Sequence, residues 1–325
     1  MSLRRLLLLP LQLLLLLTAG YLLWVLIAYR DLPVEELERR YGGDKLQRVM
    51  IDNVNLRYKV EGQGPVLVLI HSHFFTMRQW QPWVEQLSNR FTLLRFDLTS
   101  HGLTGPDPTD DYSRERGAAL LTGLLDHLNI DQASIIGSST GAGIAYTFAA
   151  MHPERTQSLV LINAPGMPKT SNKYMDKELP AWGGFMFYLL PKALFESFLK
   201  APIVDDSLVT PELLTEFFDM YRREGNRMAE YHRMRAYEKA DISPLLAKIT
   251  APVLLMWGEQ NPQLPVEHVT LFQQKLTASK AVHSIIYPGI GHVIPLENPQ
   301  QAAKDTAAFV QSQLELLPHP GSAHE

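Results

Sequence analysis

Five consecutive residues, Gly137-Ser138-Ser139-Thr140-Gly141, hold a serine between two glycines in the spacing G-x-S-x-G. With 20 glycines and 17 serines in 325 residues, about 0.06 such matches arise by chance, so the flanking sequence has to decide. ASIIGSS before the motif reads as a buried strand, and TGAGIAYTFAAMH after it as a helix of small residues. A sharp strand-to-helix turn at this point lifts the Ser139 side chain above a sheet, where it can serve as a nucleophile. The same turn sets the Thr140 N–H at a helix N-terminus, suited to stabilising an oxyanion. A tight turn that merely uses small residues is the alternative. Gly141-Ala142-Gly143 reads as helix packing rather than as a dinucleotide loop.

The elements that would position this serine follow from the apolar pattern. VMID and LRYKVEG alternate as a hairpin. Val66–Ile70 is a continuous apolar run, as expected of a parallel strand buried on both faces. FTLLRFD (91–97), SLVLIN (158–163), APVLLMWG (251–258) and VHSIIYPG (282–289) read as further strands. Helical spacing covers 79–88, 113–128 with Ser113 as N-cap, and about 298–316. Strands alternating with helices predict an α/β fold with a mostly parallel sheet flanked by helices. The interruption at 166–240 is rich in aromatic residues and leucine, and reads as an inserted helical cap. Most of its apolar residues should seat it on the sheet, and a minority could line an apolar cavity. The expected division is a core at 48–165 and 241–316, a cap at 166–240 and a disordered tail at 317–325.

The N-terminus differs from the rest. Residues 1–28 hold 14 leucines, and 6–28 carry no charge. At 1.5 Å per residue such a helix can cross a hydrocarbon core of roughly 30 Å. The expectation is a transmembrane anchor within 1–30, followed by a mixed-charge spacer at 31–47. A cleaved signal peptide is the alternative, although no A-x-A-like site follows the run. Arg4 and Arg5 before the span point to an inside N-terminus, with the globular part on the outer or periplasmic face; Arg30, Arg39, Arg40 and Lys45 after it weigh against that orientation. The net charge of −4 gives no basic surface for nucleic acid. The absence of cysteine excludes disulfides, thiolate metal sites and cysteine nucleophiles, but does not identify a compartment. No H-E-x-x-H, Walker or G-x-G-x-x-G signature is present, so no metal and no cofactor are expected.

Taken in order, these segments resemble the α/β-hydrolase fold family, in particular its capped esterase-like and C–C-hydrolase-like members. GQGPVLVLIHSHFFTMRQWQPW is similar to the family's strand and oxyanion loop, and RFDLTSHGLTGPDPTDDYS to its next strand and loop. IIGSSTGAGIAYTFAAMHPERTQSLVLINAPG is similar to its elbow, helix and following strand. APVLLMWGEQNPQLP and YPGIGHVIPLENP are similar to its acid and histidine loops. The resemblance implies an eight-stranded-type sheet, Ser139 as nucleophile, His292 as general base, and the backbone N–H groups of Thr140 and His73 as oxyanion donors. Ser139 argues against the dehalogenases and epoxide hydrolases of this fold, which use an aspartate nucleophile.

Two departures matter. Asn261 stands where the family's acid is expected, and the alternative acid position is Asn163. Three arrangements stay open: Glu259 reaches His292 with its longer side chain; Asn261 orients a neutral histidine and leaves a slow Ser-His enzyme; or the site binds ligands without catalysis. Replacement of an aspartate by asparagine in the chain is a further source of the amide. In the oxyanion loop, the family's His-Gly pair is His71-Ser72 here, and serine tolerates fewer backbone angles than glycine. The leading expectation is a membrane-anchored serine hydrolase of the carboxylesterase or lipase kind, acting on a small apolar ester. A C–C bond hydrolase and a non-catalytic ligand-binding protein are the alternatives.

Overall fold

Asp52 and Asn53 both adopt positive φ (46° and 66°), the geometry that lets a two-residue loop match the twist of its flanking strands. They join β1 (Gln47–Ile51) to β2 (Val54–Gly62) in antiparallel register. The computed structural model describes residues 3–167, 179–236 and 240–316; the expected tail at 317–325 lies outside the described residues. The apolar runs form β3 (Val66–Ile70), β4 (Thr92–Phe96), β5 (Ala133–Ser138), β6 (Thr156–Ile162), β7 (Val253–Gly258) and β8 (Val282–Tyr287). These make one eight-stranded sheet in the order β1-β2-β4-β3-β5-β6-β7-β8, parallel from β4 onward.

The helices are α1 (Leu3–Ala28), α2 (Val34–Leu37), α3 (Gln81–Leu87), α4 (Arg114–His127), α5 (Thr140–Met151), α6 (Lys192–Lys200), α7 (Pro211–Tyr221), α8 (Asn226–Arg235), α9 (Ser243–Leu246), α10 (His268–Lys275), α11 (Ile294–Glu297) and α12 (Pro299–Glu315). Ser113 caps α4 as expected, its Oγ accepting from Arg116 N at 3.1 Å. Alternate strand residues feed two cores. Val68, Leu94, Ile135, Leu159 and Leu255 pack towards α4 and α5, while Leu67, Leu93, Ile136, Val160 and Leu254 pack towards α3 and α12. Burial on both faces is what made these strands continuous apolar runs. The chain runs from β3 to β4 on one side and to β5 on the other, so the C-terminal ends of β3 and β5 flank a topological switch point, where such sheets bind ligands.

Between β6 and β7 the described chain is helical: a 3₁₀ segment at Gly183–Leu189, then α6, α7 and α8. Phe195, Leu199, Leu214, Phe217 and Phe218 of these helices form one apolar cluster with Phe75 and Val293 from loops beside the sheet. Phe195, Phe217 and Phe218 are thus buried among these helices and against the loops beside the sheet, whereas Trp182, Phe185 and Phe198 are exposed.

Among the described residues no helix is long and apolar enough to cross a membrane. The expected span, 6–28, lies within α1 (Leu3–Ala28). Its C-terminal end packs on the rest of the chain. Val25 is fully buried, Ala28 O accepts from Arg222 Nη1 at 3.3 Å, and Tyr29 meets Phe218 edge-to-face at 5.3 Å. The transmembrane helix expected over 6–28, the membrane as a partner and the outer or periplasmic placement are corrected accordingly.

The following segment also packs. Leu32 exchanges backbone hydrogen bonds with the α7–α8 turn (Leu32 N to Arg222 O, 2.8 Å; Glu224 N to Leu32 O, 2.9 Å). Asp31 pairs with the buried Arg227 at 2.7 Å, and Arg40 and Tyr41 both reach Asp219. Leu32 and Leu37 are buried with Leu103 and Met220.

Candidate active site

Ser139 sits between β5 and α5 with φ 51° and ψ −117°, a conformation L residues rarely adopt. The flanking glycines make it possible by close approach. A Cβ on Gly137 would lie 2.3 Å from Gly141 O, and one on Gly141 would lie 2.2 Å from Ile70 O. Ser139 N donates to Ile162 O at 2.9 Å, and Ser139 O accepts from Ala142 N at 2.8 Å, so both sides of the strained residue are tied down.

His292 lies in the loop between β8 and α11. Its Nε2 is 2.8 Å from Ser139 Oγ, and its Nδ1 is 3.1 Å from Asn261 Oδ1. Asn261 follows β7, and its Oδ1 also accepts from Gln263 N at 3.0 Å and Leu264 N at 3.1 Å. These two backbone donors fix which end of the amide faces the imidazole. Because Oδ1 can only accept, the shared proton belongs to His292 Nδ1, which leaves Nε2 bare to accept the Ser139 hydroxyl proton. The amide thus imposes the tautomer a general base requires, and supplies a dipole where an aspartate would supply a charge.

The other acid candidates go elsewhere. Glu259 is exposed, and its Oε2 accepts from Gly289 N at 3.2 Å, holding a surface turn. Asn163 is fully buried with φ 47°. Its Nδ2 donates to His292 O at 2.7 Å, and its Oδ1 accepts from Gly258 N at 3.1 Å. It braces the histidine loop through the backbone and does not meet the ring through these bonds.

The loop after β3 carries His71, Ser72 and His73. Ser72 is buried and does not have positive φ; the left-handed residue is Phe74, at 64°. Serine is accommodated by donation from Ser72 Oγ to Ser138 Oγ at 2.8 Å and from Ser72 N to Gln79 Oε1 at 3.0 Å, which tie the loop to the elbow and to the segment leading into α3. His71 accepts from Leu98 N through Nε2 at 3.0 Å and donates through Nδ1 to Ser72 O at 2.8 Å. Burial lowers its pKa to about 4, so it stays neutral and structural. His101 is buried and its pKa is held well below the ordinary value by desolvation. Asp97 accepts from Met77 N and Leu103 N at 2.7 and 2.8 Å, and burial pushes its carboxyl up to about 6.

The sequence did not single out Glu230 and Arg233 on α8. Glu230 Oε1 is 2.7 Å from His73 Nε2, and Arg233 binds both Glu230 oxygens at 2.7 and 2.8 Å. Burial raises the Glu230 pKa, but Arg233 and His73 outweigh it and hold the carboxyl well below its usual range. Burial and Arg233 both lower the His73 pKa. Ligand atoms of His73, His101 and Glu230 lie within 4.8 Å of one another. The Arg233 guanidinium already supplies the positive charge at this cluster, 2.6 Å from His73 Nε2, so the donor set reads as an ion-pair network rather than a metal cage. The i, i+3 spacing of Glu230 and Arg233 was the one available signal, and it names no distant partner.

The sequence profile of a family described as alpha/beta hydrolase fold matches residues 65–299. The uncharacterized hydrolase YugF of Bacillus subtilis (strain 168) is 26% identical over 274 residues, covering 82% of this chain and 98% of the relative. A 2-hydroxy-6-oxo-6-phenylhexa-2,4-dienoate hydrolase of Burkholderia cepacia is 24% identical over 275 residues, covering 80% of this chain and 92% of that one. Among solved structures, a membrane phospholipase A described as a bacterial virulence factor superposes with TM-score 0.70 at 25% identity, over 95% of this chain and 99% of that chain.

Proposed function

Since the chain belongs to the alpha/beta hydrolase fold family, and is a hydrolase of that fold, we propose that it is a serine hydrolase cleaving an apolar carboxylic ester. The observation that carries this reading is the Ser139 Oγ to His292 Nε2 contact of 2.8 Å, with Nδ1 held by Asn261. The ester as substrate is supported by the likeness to a phospholipase A. Residues 166–240 serve as a cap over a core at 48–165 and 241–316.

In this mechanism Ser139 Oγ attacks the carbonyl carbon while its proton passes to His292 Nε2. The tetrahedral oxyanion accepts from the N–H groups of His73 and Thr140. Collapse expels the alcohol, protonated by His292, and leaves an acyl-Ser139. Water then gives a proton to His292 and attacks the acyl carbon, and release of the acid restores the Ser139 hydroxyl. During both steps the imidazolium faces a neutral amide, so the expected enzyme is slow relative to one with a carboxylate there.

The test is labelling of the full chain with a fluorophosphonate, the adduct being located by mass spectrometry. Labelling at Ser139, absent in Ser139→Ala, is expected; an unlabelled folded protein overturns the reading in favour of a non-catalytic ligand-binding protein. A C–C bond hydrolase uses the same serine and histidine and is favoured by the likeness to the dienoate hydrolase. Loss of the absorbance of a vinylogous diketone substrate, with no turnover across a panel of esters, would select it.

A further inference from the structure

We propose that Glu230 of α8 is a positioning residue for the oxyanion-binding loop, acting through the imidazole of His73. The inference rests on the serine hydrolase reading, in which the His73 N–H is an oxyanion donor. One half of that loop is anchored to the core, through Ser72 to Ser138 and Gln79. The other half is gripped by the inserted helices. Glu230 Oε1 sits 2.7 Å from His73 Nε2. The Phe74 ring stacks on the His73 ring at 3.9 Å and meets Phe195 and Phe198 of α6 at 5.7 and 6.4 Å.

The backbone of the gripped half is strained, since Phe74 holds φ 64°, and such a conformation persists only where the surrounding structure holds it. The Glu230 carboxylate is suited to that task. It is 3% exposed, and its orientation is set by two charge-assisted bonds from Arg233. The aim of the His73 N–H therefore depends on a side chain 157 residues away in sequence. A misplacement near 1 Å costs about 10²-fold in rate. The effect should fall on kcat, because the developing oxyanion needs the donor more than the ground-state carbonyl does.

The test compares full-length wild type, Glu230→Gln, His73→Ala and the double variant. Three quantities are read: the second-order rate of fluorophosphonate labelling at Ser139, kcat and KM on a short nitrophenyl ester, and Tm. Each single variant should slow labelling and kcat by about 10- to 100-fold with KM within about 3-fold. The double variant should be no slower than the slower single, since both act on one link. His73→Ala retains the backbone N–H and leaves the Glu230–Arg233 pair in place, so it carries the test if Glu230→Gln fails to fold. Unchanged labelling in folded variants, losses that multiply in the double variant, or a change confined to KM overturns the proposal. Absence of labelling in wild type overturns the hydrolase reading itself, and the positioning role with it.

Discussion

Asn261→Asp is expected to make the protein faster. The residue already accepts the His292 Nδ1–H at 3.1 Å and is oriented by Gln263 N and Leu264 N. In a serine protease, aspartate to asparagine at this role costs about 10⁴-fold, chiefly through the wrong tautomer. Here the backbone donors enforce the right tautomer, so only the charge contribution is missing. A carboxylate about 4 Å from the imidazolium centre, at an effective dielectric near 20, attracts it by about 4 kcal/mol. Desolvation of the new carboxylate, relieved by the same two N–H groups, removes about half of that. The remaining ~2 kcal/mol corresponds to about 30-fold in kcat. A carboxylate also favours the imidazolium, so the ascending limb of the pH–rate profile should move to higher pH. The assay is kcat and its pH dependence on a nitrophenyl ester, together with the fluorophosphonate labelling rate. An equal or lower rate in a folded variant would refute the reasoning, and would mean that another group already stabilises the imidazolium.

The two glycines of the elbow helix should behave oppositely. Gly141→Ala places a Cβ 2.2 Å from a backbone carbonyl and should lower stability by more than about 2 kcal/mol in thermal melts. Gly143→Ala meets nothing closer than 3.6 Å and should raise stability by about 0.5–1 kcal/mol through helix propensity. Tm should fall on acidification from pH 7 towards 5. Burial holds His71 down to about 4 and lowers His101 and His73, so the unfolded chain takes up protons below about 6.5 that the folded chain refuses. For His71 alone the loss approaches about 3 kcal/mol by pH 4. Asp97, raised to about 6, works in the opposite sense. It binds its proton in the folded state first and offsets roughly one histidine, so a Tm that rose on acidification would contradict the assignment.

What the residues disclosed in advance depended on how local its cause was. Val66–Ile70 announced a doubly buried strand because both faces require apolar side chains. Gly137 and Gly141 announced the elbow because only glycine allows its carbonyl contacts. Ser113 announced a cap because its partner is three residues away. The Asn261 tautomer lock was not legible, since it depends on two backbone N–H groups whose directions are set only once the loop after β7 has folded. Glu259, two residues earlier and longer, looked equally able to reach His292, yet its oxygen bonds Gly289. Glu230 was invisible because its partner, His73, is brought to it by tertiary packing. The leucine-rich start pointed to a span, whereas its C-terminal end docks on Arg222 and Phe218, contacts that hydropathy does not encode.

The segment after α1 has a consequence for how the protein is made. Asp31 and Arg227 lie 196 residues apart, and Arg40 and Asp219 lie 179 apart. At 5–20 residues per second of synthesis, about 10–40 s pass between emergence of the first partner and of the second. Leu32 and Leu37 wait through that interval without Met220, against which they are finally buried. Assembly order therefore runs against synthesis order. The nascent chain carries an apolar hook until α7 and α8 emerge, and that interval is when a chaperone or a wrong partner has access to it.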